Sequence, residues 1–244
     1  MKPRQSGRAI IIRAAFFAGF AFAMIVGIAL IFVPNSPLPN GWNPTKPLRV
    51  ADDVTAITPW KLRRTANDPT ACIAALEGAA QITQSPTFQD ANPNCFISNP
   101  VKIDAVGLAQ MSGVKTDCGT ALRVAMWEQH TLQPKAEQQL GLKVTAITDI
   151  GSYNCRAMRT TAGVAARLSS HATASAIDIS GFQFSDGSRL NLTRDWNGSD
   201  NGAAFLRAAR DGACEWFPLT LSPDYNALHS DHFHLQANGW NICD

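Results

Sequence analysis

Histidines and an aspartate in the second half of the chain have the residue types of a metal site. Three of the five histidines, His229, His232 and His234, lie within six residues, and His171 precedes Asp178 by seven. Two imidazoles and one carboxylate are ligands that zinc accepts, and they leave a fourth position for water, as catalytic zinc sites do. The pattern therefore indicates one zinc ion, Zn2+, whose chemistry is the activation of water.

The elements around these residues decide which side chains can meet. The last predicted strand, His232–Gln236, directs His232 and His234 to the same face because side chains alternate along a strand. If a strand through Asp178 is its neighbour, about 4.8 Å away, the carboxylate and the imidazoles face one point. A helix of seven residues would hold His171 about 10 Å from Asp178. We therefore expect His171 to reach the site from a loop.

Four segments around these positions resemble the C-terminal domain of extensin-like bacterial proteins. They are GSYNCR (151–156), LSSHATASAIDISGF (168–182), FLRAARDGACEWF (205–217) and SPDYNALHSDHFHL (222–235). The resemblance covers about residues 65–244. Two of the segments are also similar to the zinc-binding motifs of D-alanyl-D-alanine metallopeptidases, lysostaphin-type endopeptidases and hedgehog-type domains. The resemblance implies a small antiparallel sheet with flanking helices, a zinc ion, and action on peptidoglycan peptides.

Carried over by position, the resemblance implies that His171, Asp178 and His234 bind the zinc ion. The general base is left open between two residues that precede the last ligand. Some relatives have an acid three residues before it, which corresponds to Asp231, and others have a histidine two residues before it, which corresponds to His232. Both residues are close enough in sequence to the ligand to take a proton from water.

The Gly-Ser-Tyr-x-x-Arg motif is similar to a family motif whose arginine faces the substrate carboxylate or the oxyanion. This assigns charge stabilisation to Arg156, with Arg159 as the other candidate because of a two-residue insertion. His229 and Tyr153 are predicted to contact the ligands and orient them. Ala174 stands where the motif has glycine, which matters only if that residue has a positive φ.

The N-terminal segment predicts a membrane anchor. Residues 14–33 are 20 residues without a charge, about 30 Å of helix, which matches the hydrocarbon core of a bilayer. The basic residues that precede this run are Lys2, Arg4, Arg8 and Arg13. By the positive-inside rule, residues 1–13 form a cytoplasmic tail and the rest lies on the other side of the membrane. The resemblance to bacterial proteins implies that this is a single-pass protein of the inner membrane with its C-terminal domain in the periplasm. A cleaved signal peptide is the alternative.

Charge and cysteine content limit the function classes. The chain has 21 Lys and Arg and 19 Asp and Glu, so without the four N-terminal bases 17 bases face 19 acids, a net charge of −2. This excludes nucleic-acid binding, which needs a basic surface to neutralise phosphates. All six cysteines follow the apolar run, and their even number favours disulfides in an oxidising compartment. Fifteen pairings remain open.

The predicted organisation is a proline-rich linker at 34–48 and one zinc-peptidase-like domain at 49–244. Its fold class is α+β, with a small antiparallel sheet and flanking helices after one transmembrane helix, because the predicted helices come early and the strands late. The predicted helices are Pro69–Ala80, Asp117–Gln129, Pro134–Leu140 and Asn201–Gly212, and the predicted strands are Val144–Ile150, Ala176–Phe184, Ser188–Leu192 and His232–Gln236.

The sequence therefore predicts a membrane-anchored, periplasm-facing, zinc-dependent peptidase that hydrolyses an amide bond in peptidoglycan peptides. Its expected partners are the peptide and, through residues 14–33, the lipid bilayer. One alternative is a non-catalytic cell-wall-binding module with a structural or vestigial zinc site. Another alternative is a metal-free adaptor protein of a membrane complex that disulfides stabilise.

Overall fold

The computed structural model describes residues 7–33 and 36–244. Its first helix, Gly7–Phe32 (α1), contains all but the last residue of the predicted transmembrane segment, and no residue of the apolar stretch Ile11–Phe32 is buried. The length and composition of this stretch fit a membrane span, and an N-terminal signal sequence has the same character. Lys2 and Arg4 of the predicted cytoplasmic tail lie outside the described residues.

The segment after α1 contacts both this helix and the domain. Asn40–Trp42 forms a 3₁₀ turn. The Asn43 side chain donates from Nδ2 to the Ile31 carbonyl near the end of α1, at 3.3 Å. The Nζ atom of Lys61 donates to the carbonyl of the first residue of the turn, at 2.8 Å. This segment therefore packs against the domain as well as α1.

One mixed sheet dominates the part of the chain that the structure describes. The strands are Ala80–Gln84 (β1), Phe88–Gln89 (β2), Phe96–Ile97 (β3), Pro100–Val106 (β4), Ala109–Asp117 (β5), Val144–Gly151 (β6), Ala157–Thr160 (β7), Gly163–Leu168 (β8), Ala176–Phe184 (β9), Arg189–Asn191 (β10), Leu219–Leu221 (β11), Phe233–Gln236 (β12) and Ile242–Cys243 (β13). The order in the sheet is β1-β4-β5-β6-β9-β12-β11-β13, and β10 pairs with β9. Two further hairpins, β2–β3 and β7–β8, lie outside this sheet.

Two helices of the domain precede the first strand, and the others lie between strands in sequence. The helices are Thr58–Ala66 (α2), Pro69–Leu76 (α3), Cys118–Trp127 (α4), Gln133–Leu140 (α5), Leu192–Asp195 (α6) and Asn201–Trp216 (α7), and the π-helical turn Glu128–Leu132 joins α4 to α5. Asp117 caps α4 by accepting from the amide of Gly119, and Gly141 ends α5 with a φ of 68°, as the sequence predicts. The predicted helix Pro69–Ala80 is too long, because Gly78 has a φ of 75° and β1 follows it.

The mixed α+β class is confirmed, but the sheet is larger than predicted and mixed where an antiparallel sheet is predicted, and the predicted order of elements is wrong. β5 runs parallel to β6, and β11 runs parallel to β13. The first parallel pair has a physical cause: α4 and α5 lie between the two strands and form the helical crossover that a parallel pair needs. Strands also come early, since β1 to β5 precede the longer helices.

Aromatic side chains fill the core between the sheet and the helices. Trp127 of α4 contacts Phe182 of β9 edge to face, with ring centroids 5.8 Å apart. Phe205 of α7 packs on Phe182 and Phe184 at 5.3 Å and 5.2 Å. All four side chains are buried. The core therefore fixes β9, the strand that carries Asp178, against two helices.

All six cysteines form disulfides, as predicted. The pairs are Cys72–Cys118, Cys95–Cys155 and Cys214–Cys243. The first joins α3 to α4, the second joins the β2–β3 hairpin to the segment before Arg156, and the third joins α7 to β13. Three disulfides are typical of a domain outside the cytoplasm.

Candidate metal centre

Two of the predicted ligands lie directly opposite each other on neighbouring strands. In the antiparallel pair of β9 and β12, His234 is the partner of Asp178. The Nδ1 atom of His234 lies 2.8 Å from Oδ1 of Asp178. The adjacent Phe233 and Leu235 are completely buried on the other face of the strand. The period-two alternation of β12 therefore turns its apolar side chains into the core and its histidine towards the aspartate.

The third predicted ligand reaches them from a turn, as the sequence indicates. His171 lies in the 3₁₀ turn Ser170–Thr173 and is only 3% exposed. Its Nε2 atom lies 3.2 Å from Oδ2 of Asp178 and 3.2 Å from Nδ1 of His234. The ligand atoms of these three residues all lie within 4.8 Å of one another.

Ala174 ends this turn in a strained conformation. Its φ is 50°, the left-handed region that the sequence analysis identified as the condition under which the missing glycine matters. That conformation costs a residue with a Cβ about 1–2 kcal/mol. The carbonyl of Ala174 accepts hydrogen bonds from Oγ1 of Thr116 at 3.1 Å and Oγ1 of Thr120 at 3.0 Å. These buried bonds offset the strain and hold the turn that carries His171.

Hydrogen bonds determine which ring nitrogens face the centre. Nδ1 of His171 lies 2.6 Å from the Ser152 carbonyl and must donate to it, because a carbonyl only accepts. Nε2 of His234 lies 3.4 Å from Oε1 of Gln236, which likewise only accepts. The neutral forms of both rings therefore turn an unprotonated nitrogen towards Asp178.

Three electron-pair donors thus converge at separations of 2.8–3.2 Å. Without a proton or a cation between them, such groups repel one another. Ligands about 2.0–2.1 Å from zinc in a tetrahedron are about 3.3 Å apart. The donor types and their spacing therefore fit a zinc ion.

The protonation states of the acidic and basic groups agree with cation binding. Burial opposes ionisation of Asp178, but when the facing nitrogens of His171 and His234 carry protons, their hydrogen bonds and positive charge lower the pKa of Asp178 far below its usual value. A cation in the place of these protons acts in the same direction. The carboxylate is therefore ionised. Burial, followed by the charges of His234 and His232, lowers the pKa of His229 to about 4, so that this ring is neutral at pH 7.

The two predicted general bases form one hydrogen-bonded pair. Nδ1 of His232 donates to Oδ1 of Asp231 at 2.7 Å, and Nε2 of His232 lies 3.8 Å from Oδ1 of Asp178. The side chain of His232 is 12% exposed, whereas that of Asp231 is 61% exposed. The imidazole therefore faces the cluster, and the carboxylate lies behind it.

The structure separates the two residues predicted to orient the ligands. The ring of His229 lies 5.7 Å from that of His234, and its Nδ1 is 2.9 Å from Oδ1 of Asn226. The hydroxyl of Tyr153 instead donates to Oδ2 of Asp90 at 2.7 Å, and its ring packs edge to face against Phe88. The contacts of Tyr153 thus lie with the β2–β3 hairpin.

Ser152, which precedes Tyr153, is the residue of this segment that contacts a predicted metal ligand, His171. Its carbonyl accepts from His171, and its Oγ atom lies 2.6 Å from the Ala176 carbonyl and 2.7 Å from Oγ1 of Thr116. Sequence reasoning missed this residue because a backbone carbonyl has no residue-type signal. Its place as the serine of the Gly-Ser-Tyr-x-x-Arg motif was the available signal.

A cleft of about 800 Å³ opens over the cluster. Asp178, His232 and His234 line it, and so do both arginine candidates, Arg156 and Arg159. His171 is buried beneath. A ligand in the cleft would therefore meet the exposed side of the cluster, the imidazole of His232 and at least one guanidinium.

The comparisons with known proteins identify the family of this chain. A family model described as extensin-like protein C-terminus matches residues 70–244. The match covers more than two thirds of the chain, which therefore belongs to this family. No curated protein matches the chain. No solved structure matches it.

Proposed function

We propose that this member of the extensin-like protein C-terminus family is a zinc-dependent peptidase that cleaves an amide bond in peptidoglycan peptides. The observation that carries the proposal is the convergence of His171, Asp178 and His234 at the floor of an open cleft. Three ligands from protein, with access for a fourth from solvent, are the arrangement that distinguishes a catalytic zinc site from a structural one.

Zinc held by these residues would supply Lewis acidity and lower the pKa of water towards 7. The protein supplies the remaining roles. His232 accepts a proton at Nε2, and the carboxylate of Asp231 fixes its tautomer through the 2.7 Å bond to Nδ1. Arg156 stabilises the negative charge that develops on the carbonyl oxygen of the substrate. This assignment makes His232 the general base and Asp231 a positioning residue.

The substrate class rests on the similarity of the motifs to D-alanyl-D-alanine metallopeptidases and lysostaphin-type endopeptidases. The proposed location is the periplasmic side of a bacterial inner membrane. The apolar length of α1 and the three disulfides support that location. The short connection between α1 and the domain would keep the domain close to the membrane.

The test is hydrolysis of purified peptidoglycan peptides by the full chain loaded with zinc, with products identified by mass spectrometry. His232→Ala should retain zinc and lose at least about 100-fold in rate, the usual contribution of a general base. Asp231→Asn should lose less, because it acts through His232. Asp211→Asn is the matched control, since Asp211 is 67% exposed and does not line the cleft.

Full activity of His232→Ala would contradict the mechanism. Binding of the wild type to intact peptidoglycan without release of any soluble product would instead identify a non-catalytic wall-binding module.

A further inference from the structure

The β7–β8 hairpin forms part of the wall of the cleft and carries two arginines that the proposed mechanism does not use. Arg159 on β7 and Arg167 on β8 both line the cleft. Both are exposed, and within the described part of the chain neither guanidinium has an acidic partner. Unpaired guanidinium groups that share a cleft are suited to bind carboxylates.

The charge of the cleft is opposite to that of the surrounding domain. Beyond residue 13 the chain has a net charge of −2, yet Arg156, Arg159 and Arg167 all line this one cleft. The acidic residue that lines it is Asp178, whose carboxylate already contacts two histidines. The positive charge is therefore concentrated at the cleft and is not a result of a basic protein surface.

The base of the hairpin is fixed beside the metal centre. Ala157 pairs with Leu168, and the amide of Ser169 donates to the Arg156 carbonyl at 3.0 Å. The His171 turn follows directly at Ser170. A short, hydrogen-bonded segment thus connects the base of the hairpin to the turn that carries His171.

We propose that Arg159 and Arg167 form a second anion-binding subsite, which selects peptides that carry a carboxylate in addition to the group bound by Arg156. Three residues of extended chain separate Arg156 from Arg159, about 10 Å. The second carboxylate is therefore expected two or three residues from the scissile bond. The inference rests on the proposed function for the identity of the ligand as a peptide.

The test measures binding separately from turnover. The full chain with His232→Ala, loaded with zinc, is titrated with two fluorescent synthetic tetrapeptides that differ only in an internal glutamate or glutamine. The glutamate peptide should bind about tenfold more tightly at low salt, and high salt should reduce the difference. Arg159→Gln combined with Arg167→Gln should abolish the difference and retain one equivalent of zinc.

The matched control is Arg189→Gln, on an exposed arginine of β10 that does not line the cleft. It should leave both affinities unchanged. The subsite would be overturned if the His232→Ala protein bound the two peptides with equal affinity. It would also be overturned if the Arg189→Gln control lost the affinity difference as the double variant does. Discrimination between the peptides without hydrolysis by the wild type would retain the subsite and reject the peptidase. Hydrolysis of both peptides by the wild type, without a difference in their affinities, would retain the peptidase and reject the subsite.

Discussion

Replacement of Ser152 by alanine should weaken the metal centre without removing a ligand. Ser152 is 2% exposed, and its Oγ bonds the Ala176 carbonyl at 2.6 Å and Thr116 Oγ1 at 2.7 Å. Loss of these bonds leaves the buried partner atoms without a hydrogen bond and lowers the free energy of unfolding by about 1–3 kcal/mol. In a chain of 244 residues, each kcal/mol lowers Tm by about 2–4 °C. The backbone carbonyl that orients His171 shifts with the side chain.

Substitution of a residue that orients a metal ligand usually lowers the metal affinity about 10–100-fold. For Ser152→Ala we expect a loss of about tenfold, because the backbone carbonyl itself remains. Zinc affinity is measured by competition with a chromophoric chelator. Ser180→Ala is the control, since Ser180 is 8% exposed and bonds the Thr148 carbonyl at 3.3 Å, without contact to a ligand. It should lose stability and retain zinc affinity. Equal zinc affinities of the wild type and Ser152→Ala would refute the role of the carbonyl.

Three further predictions concern stability. Burial raises the pKa of Glu128 above its usual 4.5, so that the carboxyl group loses its proton at lower pH in the unfolded state than in the folded state. As the pH rises above about 4.5, urea titrations should therefore show the wild type losing stability relative to Glu128→Gln. Replacement of Cys95 and Cys155 by alanine opens a loop of 60 residues and should cost up to about 4 kcal/mol in thermal melts, with zinc content unchanged. Ala174→Gly should retain zinc and keep its stability within about 1 kcal/mol of the wild type, because glycine adopts this φ without strain. Ala174→Val should lose both zinc and stability, because a β-branched residue is strained further at this φ. Equal zinc content and stability of the two variants would contradict the strain at this position.

Local periodicity was sufficient to predict which faces of the two strands carry the site residues, although not that the strands are neighbours. Alternation in β12 and around Asp178 gave the correct faces, and the strands are neighbours with Asp178 opposite His234. The loop position of His171 followed from distance alone. Such inferences succeed because side-chain direction in a strand is a property of the backbone and does not depend on distant contacts.

Features set by long-range packing could not be predicted in the same way. The parallel pairing of β5 with β6 depends on where α4 and α5 dock, and the disulfide pairs depend on the assembled fold. The strand β5 was missed because polar residues interrupt its apolar alternation: the buried positions on either side of the exposed Lys115 are Val114 and the polar Thr116. The role of Ser152 depends on a carbonyl, which every residue has.

The most direct test of the account is the zinc content of the purified full chain, measured by elemental analysis after equilibration with zinc and removal of the free ion. The account predicts one zinc per chain for the wild type and far less than one for Asp178→Asn, which keeps the shape of the side chain but removes its charge. Asp186→Asn, on an exposed turn, should behave as the wild type. No bound zinc in the wild type, or an equal content in Asp178→Asn, would contradict the metal centre.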